Sequence, residues 1–549
     1  VVSTVVEVPE VDPLAPRRDP PRAPRWAGPA AGLAAGAAAV GAGMLFAALA
    51  DVVSPIDAVG SEFIDVVPRW LKDLAIDWFG TNDKVALRAG IVTVLALASL
   101  VVGWVGRQRT WAGVGGIAAF GVVGALAARA RPDGGAGAAW PALAGALVGG
   151  VLLVRLLALV RAGDGARERP RRSRAPLGWD RRRFVLTAGA AGAGAGLALA
   201  SARRLESQRL DRLRAAAPDE LPVVAPDGGA EEASAGGGGT PGPASPVVPP
   251  GAQLSPITPF LTPNDDFYLI DTALSVPRID VASWAVEIVG MVDRPLRLSY
   301  DDLLARPQVE RIVTIACVSN EVGGDLVGNA RWQGVLLADL LREAGVAAGA
   351  EQVFSTSVDG WTCGFPVAAA LDGRDAMIAL GMNGEPLPLR HGFPARLIVP
   401  GLYGYVSATK WLERIELTTW DDAVGYWVPR GWSREAPIKT QSRIDVPRAG
   451  DDLAAGRVAI AGVAWAQQRG VAAVEVRIDR GEWRRARLGA DVSADAWRQW
   501  VLEWDATPGE HTIQVRATDG EGDVQTEEVA RPDPDGATGH HTRTVRVRA

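Results

Sequence analysis

The chain has 549 residues, 48% of them hydrophobic, with 64 glycines and a formal net charge of -6. That length calls for several domains, and the Ala/Gly/Leu/Val richness before about residue 205 points to a membrane portion ahead of an ordinary soluble one. The acidic balance, with arginines gathered between apolar segments and not on one soluble face, excludes nucleic acid as a partner, and the two cysteines, Cys317 and Cys363, exclude a disulfide framework while leaving one bridge between them open.

Five apolar stretches come first, at roughly residues 30 to 50, 85 to 106, 111 to 130, 138 to 160 and 185 to 201. The first four approach the ~20 residues that a bilayer-spanning helix needs. Arg17, Arg18, Arg22 and Arg25 precede the first, Arg107 and Arg109 separate the second from the third, and Arg161 to Arg183 is densely basic. Such loops are expected in the cytoplasm, with the N-terminus. The loop of residues 51 to 84 carries Asp51, Asp57, Glu62, Asp65, Asp73 and Asp77 and is expected outside, where Arg129 and Arg131 are mild exceptions. Helices buried in a soluble protein are the competing reading, which so consistent a charge asymmetry disfavours.

The fifth stretch follows Asp180-Arg181-Arg182-Arg183-Phe184-Val185-Leu186. It resembles a twin-arginine export signal through Arg181, Arg182, Phe184 and Val185, although it is internal and lacks a preceding Ser or Thr; a plain end to the cytoplasmic loop is the alternative. Ala200-Ser201-Ala202 is a candidate cleavage site. All four histidines lie at 391, 511, 540 and 541, so the membrane half cannot hold a haem through paired His ligands. Its intramembrane charges, Arg88 and Arg155, sit where they can snorkel, which favours an anchor over a transporter.

Residues 203 to 255 are charged and then Gly/Ser/Pro-rich through Gly236–Gly239 and Thr-Pro-Gly-Pro, the composition of a flexible tether. From about Ile257, strand-like runs (Trp284 to Val289, Arg311 to Ala316, Val353 to Ser357) mix with helical ones (Leu336 to Ala344, Val367 to Leu371), the pattern of an α+β core of about 180 residues. After Pro437, Val458 to Trp465, Ala473 to Ile478, Trp500 to Trp504 and Thr512 to Val515 alternate apolar and polar residues between turn signals, as in a β-sandwich. The expected domains are therefore 1–202, a linker at 203–255, and then 256–436 and 437–549.

Cys317 closes the run Arg311-Ile-Val-Thr-Ile-Ala, where a strand gives way to a loop, a place that carries chemistry more often than it builds a core. From the local pattern alone the favoured reading is a small buried hydrophobe, the commonest fate of a free cysteine. The wider motifs decide between these. Cys317-Val-Ser-Asn, Ala330-Arg331-Trp332-Gln-Gly334, Met382-Asn383-Gly384-Glu-Pro386, His391-Gly392-Phe393-Pro394-Ala-Arg396 and Lys410-Trp411-Leu412 stand in the order and approximate spacing of the sulfite oxidase family of molybdenum enzymes, which residues 257–549 resemble.

The resemblance implies a sulfite-oxidase-type molybdopterin domain followed by an Ig-like domain that often makes a homodimer contact. It implies Cys317 as the one protein ligand of molybdenum, a soft thiolate beside the two sulfurs of the pterin dithiolene. It also implies a molybdopterin pocket taking Phe267, Tyr268, Asp271, Asp359, His391, Arg396, Ala408, Thr409 and Lys410, with the cations neutralising the pterin phosphate and His391 adding a donor. Cys363 has no role in the family pattern and is expected in the core.

The departures bear on substrate. Where sulfite oxidases place substrate arginines and a Tyr beside the metal, this chain reads Leu269, Glu321-Val322 and Trp432, with Arg430 the cation left to compensate. An anion desolvated without cationic partners is costly to bind, so sulfite is disfavoured. The expected protein is a multi-pass cytoplasmic-membrane enzyme with its catalytic domain outside. It would perform two-electron oxygen-atom transfer with Cys317, Trp432 and Arg430 at the reacting centre, no haem in this chain, and a separate electron carrier or quinone as partner. The alternatives are a non-catalytic membrane-tethered scaffold on the same fold and a sulfoxide or N-oxide reductase.

Overall fold

In the computed structural model, the described residues are 22–68, 78, 83–135, 137–164, 179–218, 220–224, 246, 248–254 and 257–549. Arg17, Arg18, Asp73, Asp77 and the Gly/Ser/Pro-rich part of the linker lie outside them. The chain divides into two compact units, Val1–Ser207 and Gln208–Ala549.

The first unit is helical. Among the described residues, five helices are long and apolar enough to cross a membrane: Ala27–Leu49, Lys84–Gln108 (within the helix Asp83–Gln108), Thr110–Ala130, Trp140–Ala162 (within Trp140–Asp164) and Arg181–Ala215. The first packs against the second and the fourth, and small residues set its approach. A Cβ on Gly32 would run into the backbone of Ser99 and Gly103, and one on Gly145 into Ala39 and Gly43, the close contact that glycine permits between helices. Large apolar side chains, among them Leu97, Trp104, Leu126 and Leu147, point outward. The acidic loop contains a further helix, Pro55–Val66, with Ser54 capping Asp57 N–H and Pro55 at its first turn. Arg88, expected to snorkel, instead pairs with Asp57 at 2.9 Å.

The fifth helix corrects the linker boundary. It continues past Ser201 through Ala215, because Arg-Arg-Leu-Glu-Ser-Gln-Arg-Leu is rich in helix formers, so no flexible tether begins at 203. Asp180 caps its start by accepting from Arg183 N–H, and Phe184 is buried with its ring 5.0 Å from that of Trp179 and 6.0 Å from that of Trp26.

The second unit begins with ten strands that form two sheets around a shared core. They are β1 Ala285–Gly290, β2 Leu296–Ser299, β3 Val309–Ala316, β4 Val327–Leu336, β5 Gln352–Ser357, β6 Thr362–Pro366, β7 Met377–Met382, β8 Glu385–Pro386, β9 Arg396–Ile398 and β10 Leu412–Thr418. One sheet runs β2-β1-β10-β5-β6, with β1 and β10 parallel; the other runs β3-β4-β7-β8, with β9 on β7. The expected helices appear as Leu337–Ala344, ended by Gly345 at φ 72°, and Val367–Leu371. The α+β reading of this region therefore stands.

Nine more strands make a β-rich C-terminal part: β11 Gln441–Val446, β12 Asp452–Ala454, β13 Gly456–Trp465, β14 Val471–Ile478, β15 Arg484–Arg485, β16 Arg487–Leu488, β17 Arg498–Ala506, β18 Gly509–Asp519 and β19 His541–Arg548. They form two sheets, β11-β13-β17-β16 and β12-β19-β18-β14-β15, that share an apolar core including Ile460, Trp500, Val474, Val515 and Val545. This part grips β3 directly. Thr314 N–H donates to Asp495 O at 2.9 Å, Thr314 Oγ1 accepts from Trp497 N–H at 2.7 Å, and Thr314 O accepts from the Gln467 amide at 2.9 Å. The strand that leads into Cys317 is thus tied to the C-terminal part through Thr314.

Candidate active site

β3 is buried over its last five residues, as its β-branched run predicts, and delivers Cys317 to the start of a tight loop. Cys317 N–H donates to Leu326 O at 2.9 Å, and Asn320 Oδ1 accepts from Leu326 N–H at 2.9 Å, so the loop closes on itself. Cys317 and Cys363 are both free and buried, which settles the question of a bridge. Burial pushes the Cys317 thiol up, against a smaller pull from the backbone and hydroxyl of Ser319. Such a thiol stays protonated at neutral pH unless a cation takes the proton's place.

Of the residues expected around a cofactor, Phe267, Tyr268, Asp271, His391, Arg396 and Lys410 converge in one place. Phe267 stacks on Tyr268 at 5.3 Å and meets the rings of Trp332 and His391 edge-on, each at 5.8 Å. The Arg396 guanidinium lies 5.0 Å over the Trp332 ring and donates to His391 O at 3.0 Å. Gly392, at φ 117°, lets this segment turn close against Arg396 and Lys410. Lys410 pairs with Asp271 and donates to Arg390 O at 3.2 Å. Thr409 O accepts from Leu397 N–H, and Ala408 closes the short helix Gly404–Ser407, whose first residue abuts Ala316 O. Asp359 lies in the β5–β6 turn and accepts from Trp361 N–H at 3.2 Å, next to Val358, whose N–H donates to Trp411 O.

Burial makes this cluster electrostatically unfinished. Desolvation lowers Arg396 to about 10 although Tyr268 and Asp271 draw it up, and its Nε has no partner. A buried cation with an idle donor is a preformed anion site. His391 is lowered to about 4 by burial first and by Arg396 next, so its ring is neutral. Its Nε2 lies 2.8 Å from Asn264 O, an acceptor only, so the proton sits on Nε2 and Nδ1 is an acceptor. The expectation that His391 adds a donor for the cofactor is corrected: its one N–H is taken by the backbone. The hydroxyl of Tyr268 is pushed up by burial and by Cys317, which places this cluster within the field of the thiol.

This donor set fits a molybdopterin. Among the described residues no group of three or more His, Cys, Asp or Glu is arranged to hold a metal ion. A metal carried by its own organic ligand needs only Cys317 from the protein, and an anionic cofactor would supply the partner that Arg396 Nε lacks.

Two of the expected reaction-centre residues behave differently. Trp432 packs with Tyr405 at 5.8 Å and with Trp427 at 6.4 Å, in the same apolar cluster as Ala316 and Val318. Arg430 lies 3.6 Å over the Tyr426 ring and donates to Tyr426 O at 2.6 Å, so its guanidinium is engaged within its own turn. Glu321 is exposed at the loop tip.

Sequence reasoning missed Tyr403, which is buried beside the short helix with its hydroxyl pushed up by burial and, further down the scale, by Cys317. A run of two tyrosines around Gly404 was the available signal. It also missed the buried chain in which Thr409 Oγ1 lies 2.7 Å from Ser355 Oγ and 3.1 Å from the sulfur of Cys363, whose thiol is raised to about 11 by burial against the pull of those two hydroxyls.

Comparison with known proteins bears on the same residues. A family model described as "Oxidoreductase molybdopterin binding domain" matches residues 273–427. Mitochondrial sulfite oxidase of Homo sapiens is 31% identical over 320 residues, covering 49% of this chain and 58% of that protein. Sulfite oxidase of Gallus gallus is 31% identical over 322 residues, covering 49% of this chain and 69% of the relative. The uncharacterized oxidoreductase YuiH of Bacillus subtilis (strain 168) is 34% identical over 185 residues, covering 34% of this chain and 85% of that protein. The chain thus spans little more than half of the human relative's length.

Proposed function

Because the chain belongs to the sulfite oxidase family of molybdopterin-dependent oxidoreductases, we propose that it is a membrane-anchored enzyme of oxygen-atom transfer whose substrate is less anionic than sulfite. The observation that carries this reading is a buried Cys317 in the same pocket region as a buried Arg396 whose Nε has no partner, together with Arg430, whose guanidinium lies on Tyr426.

Molybdenum–molybdopterin, when bound, supplies two-electron oxygen-atom transfer. The rest is the work of this chain. Cys317 would ligate the metal as a thiolate, at a position fixed by β3 and its closed loop. Arg396 and Lys410 would neutralise an anionic cofactor, the second while keeping Asp271 as its own partner. Neutral His391 offers an acceptor at Nδ1 and cannot become a competing cation near neutral pH. Tyr405, Trp427 and Trp432 form an apolar wall that excludes water and offers little to a free anion. Sulfite is disfavoured for that reason, and a neutral oxo-donor or oxo-acceptor is favoured.

Anchoring rests on the five apolar helices with outward-facing Leu, Val and Trp. The arginine distribution supports an N-terminus in the cytoplasm and a catalytic part outside. Arg181 and Arg182 would act as an export signal, although Phe184 has a packing role of its own between Trp26 and Trp179. With no histidine before residue 391, electrons pass to or from a separate carrier or quinone. The metal-loaded full chain, assayed against sulfite, sulfoxides and N-oxides, tests this function. Turnover of a neutral substrate with weak sulfite activity is expected; sulfite turnover comparable to that of a true sulfite oxidase would overturn the substrate assignment.

A further inference from the structure

The loop that follows Cys317 has its base in the catalytic part and its tip in the grip of the C-terminal sheets. At the base, Cys317 N–H and Leu326 O close the loop, and Asn320 N–H donates to Cys317 O at 3.1 Å. At the tip, Gly324 N–H donates to Glu321 O at 2.9 Å, and Gly323 takes φ 79°. That left-handed turn brings Gly323 against the imidazole of His541, the first residue of β19, so closely that a Cβ would overlap three ring atoms. The ring is itself fixed: His541 Nδ1 accepts from Ile444 N–H of β11 at 2.9 Å. From that same strand Arg443 donates to Gly324 O at 3.0 Å, with its other donors on Asp445 at 2.7 Å and Thr258 at 3.3 Å.

We propose that His541 is a positioning residue for Cys317, a platform from the C-terminal sheets on which the tip of the metal-ligand loop rests and which, together with Arg443, holds the thiol in its buried place. The C-terminal part therefore completes the active site of its own chain, whatever dimer contact it also makes. The geometry supports an action on the loop more than on overall stability. His541 and Arg443 touch residues 323 and 324, whereas β3 itself is tied separately through Thr314, Gln467 and Trp497. Replacing His541 leaves those bonds intact and loosens the tip, which then keeps only the Arg443 bond to Gly324 O from the C-terminal part. The loop's own closure is the Asn320 side chain and three backbone bonds within residues 317–326.

The inference rests on Cys317 being the metal ligand, yet its test does not need the metal. The full chain, made without cofactor and held in detergent, has two thiols, and both are buried, Cys317 at 8% exposure and Cys363 at 1%. Their rates of labelling by a maleimide, read peptide by peptide by mass spectrometry, separate local release from general loosening. His541→Ala is expected to raise Cys317 labelling about tenfold, equivalent to about 1.4 kcal/mol of loop opening, with Cys363 unchanged. His541→Asn, which can keep an acceptor for Ile444 N–H, should fall between. Gly323→Ala, which pushes the tip off the ring, should act as His541→Ala does and serves if that variant is poorly folded. An unchanged Cys317 rate, or an equal rise at Cys363, would overturn the proposal. Molybdenum content of the wild-type chain from a cofactor-producing host decides the ligand reading independently.

Discussion

Removing the charge of Arg396 should affect the empty and the loaded protein in opposite senses. Its guanidinium is 5% exposed and is lowered from 12.5 to about 10, chiefly by burial. Holding the cation desolvated in the cofactor-free fold therefore costs on the order of 3 kcal/mol. Arg396→Met keeps the length of the side chain and its packing on Trp332 while relieving that cost. It forfeits one hydrogen bond to His391 O and the contact with the ring, together about 2–3 kcal/mol. The two nearly cancel, so the cofactor-free variant should unfold within about 1 kcal/mol of wild type, as replacement of buried charge by apolar volume often does. In the loaded state the same change removes the partner of an anionic group, and the loss should reach about 2–5 kcal/mol, seen as molybdenum that is retained poorly through purification. Thermal unfolding of both forms in detergent, with metal content measured alongside, is the assay. A cofactor-free variant destabilised by as much as a broken buried ion pair, with metal retention unchanged, would refute the idea that Arg396 is waiting for an anion.

Other outcomes follow from the same contacts. His541 is lowered to about 4 by burial first, then by Arg543 and Arg443, with Asp445 opposing. Since the folded value lies below the unfolded 6.5, its contribution is complete above pH 6.5 and is lost as pH falls toward 4. Between pH 7 and pH 4.5 the fold should lose about 2–3 kcal/mol from this residue, and His541→Asn should flatten that slope; an unfolding midpoint whose acid dependence is the same in both would contradict it. Thr314→Val strands Trp497 N–H and Asn329 Oδ1 in a dry core and should cost about 2–4 kcal/mol in thermal unfolding; a loss under about 0.5 kcal/mol would show that the C-terminal grip on β3 is weak. Arg181→Lys combined with Arg182→Lys should leave the catalytic part inside the cell in a protease-accessibility assay, and normal translocation would remove the export reading.

Local patterns carried most of what could be foreseen. Val and Ile alternation gave β3 its place and apolar length gave the five helices, whereas the pocket around His391, Arg396 and Lys410 was only implied by the family resemblance that the motifs carry. Composition misjudged residues 203–215, because a charged run of helix formers reads like a tether until a helix is continued into it. The helix Pro55–Val66 was hidden within an acidic loop although Ser54-Pro55 announced its start. What no local pattern could show was non-local bonding: Thr314 meeting Trp497, Gly323 meeting His541, and Arg430 folding back onto Tyr426. In each case both partners are ordinary residues whose meaning comes from the other. The protonation of His391 belongs here too, since it depends on Asn264 O, which is far from it in sequence.

Whether Cys317 holds a molybdenum centre is decided by metal analysis of the full chain purified from a host that makes molybdopterin, beside Cys317→Ser prepared identically. Close to one molybdenum per wild-type chain is expected, with strong loss in the variant. Wild-type protein without molybdenum, or a variant that retains as much as wild type, would contradict it.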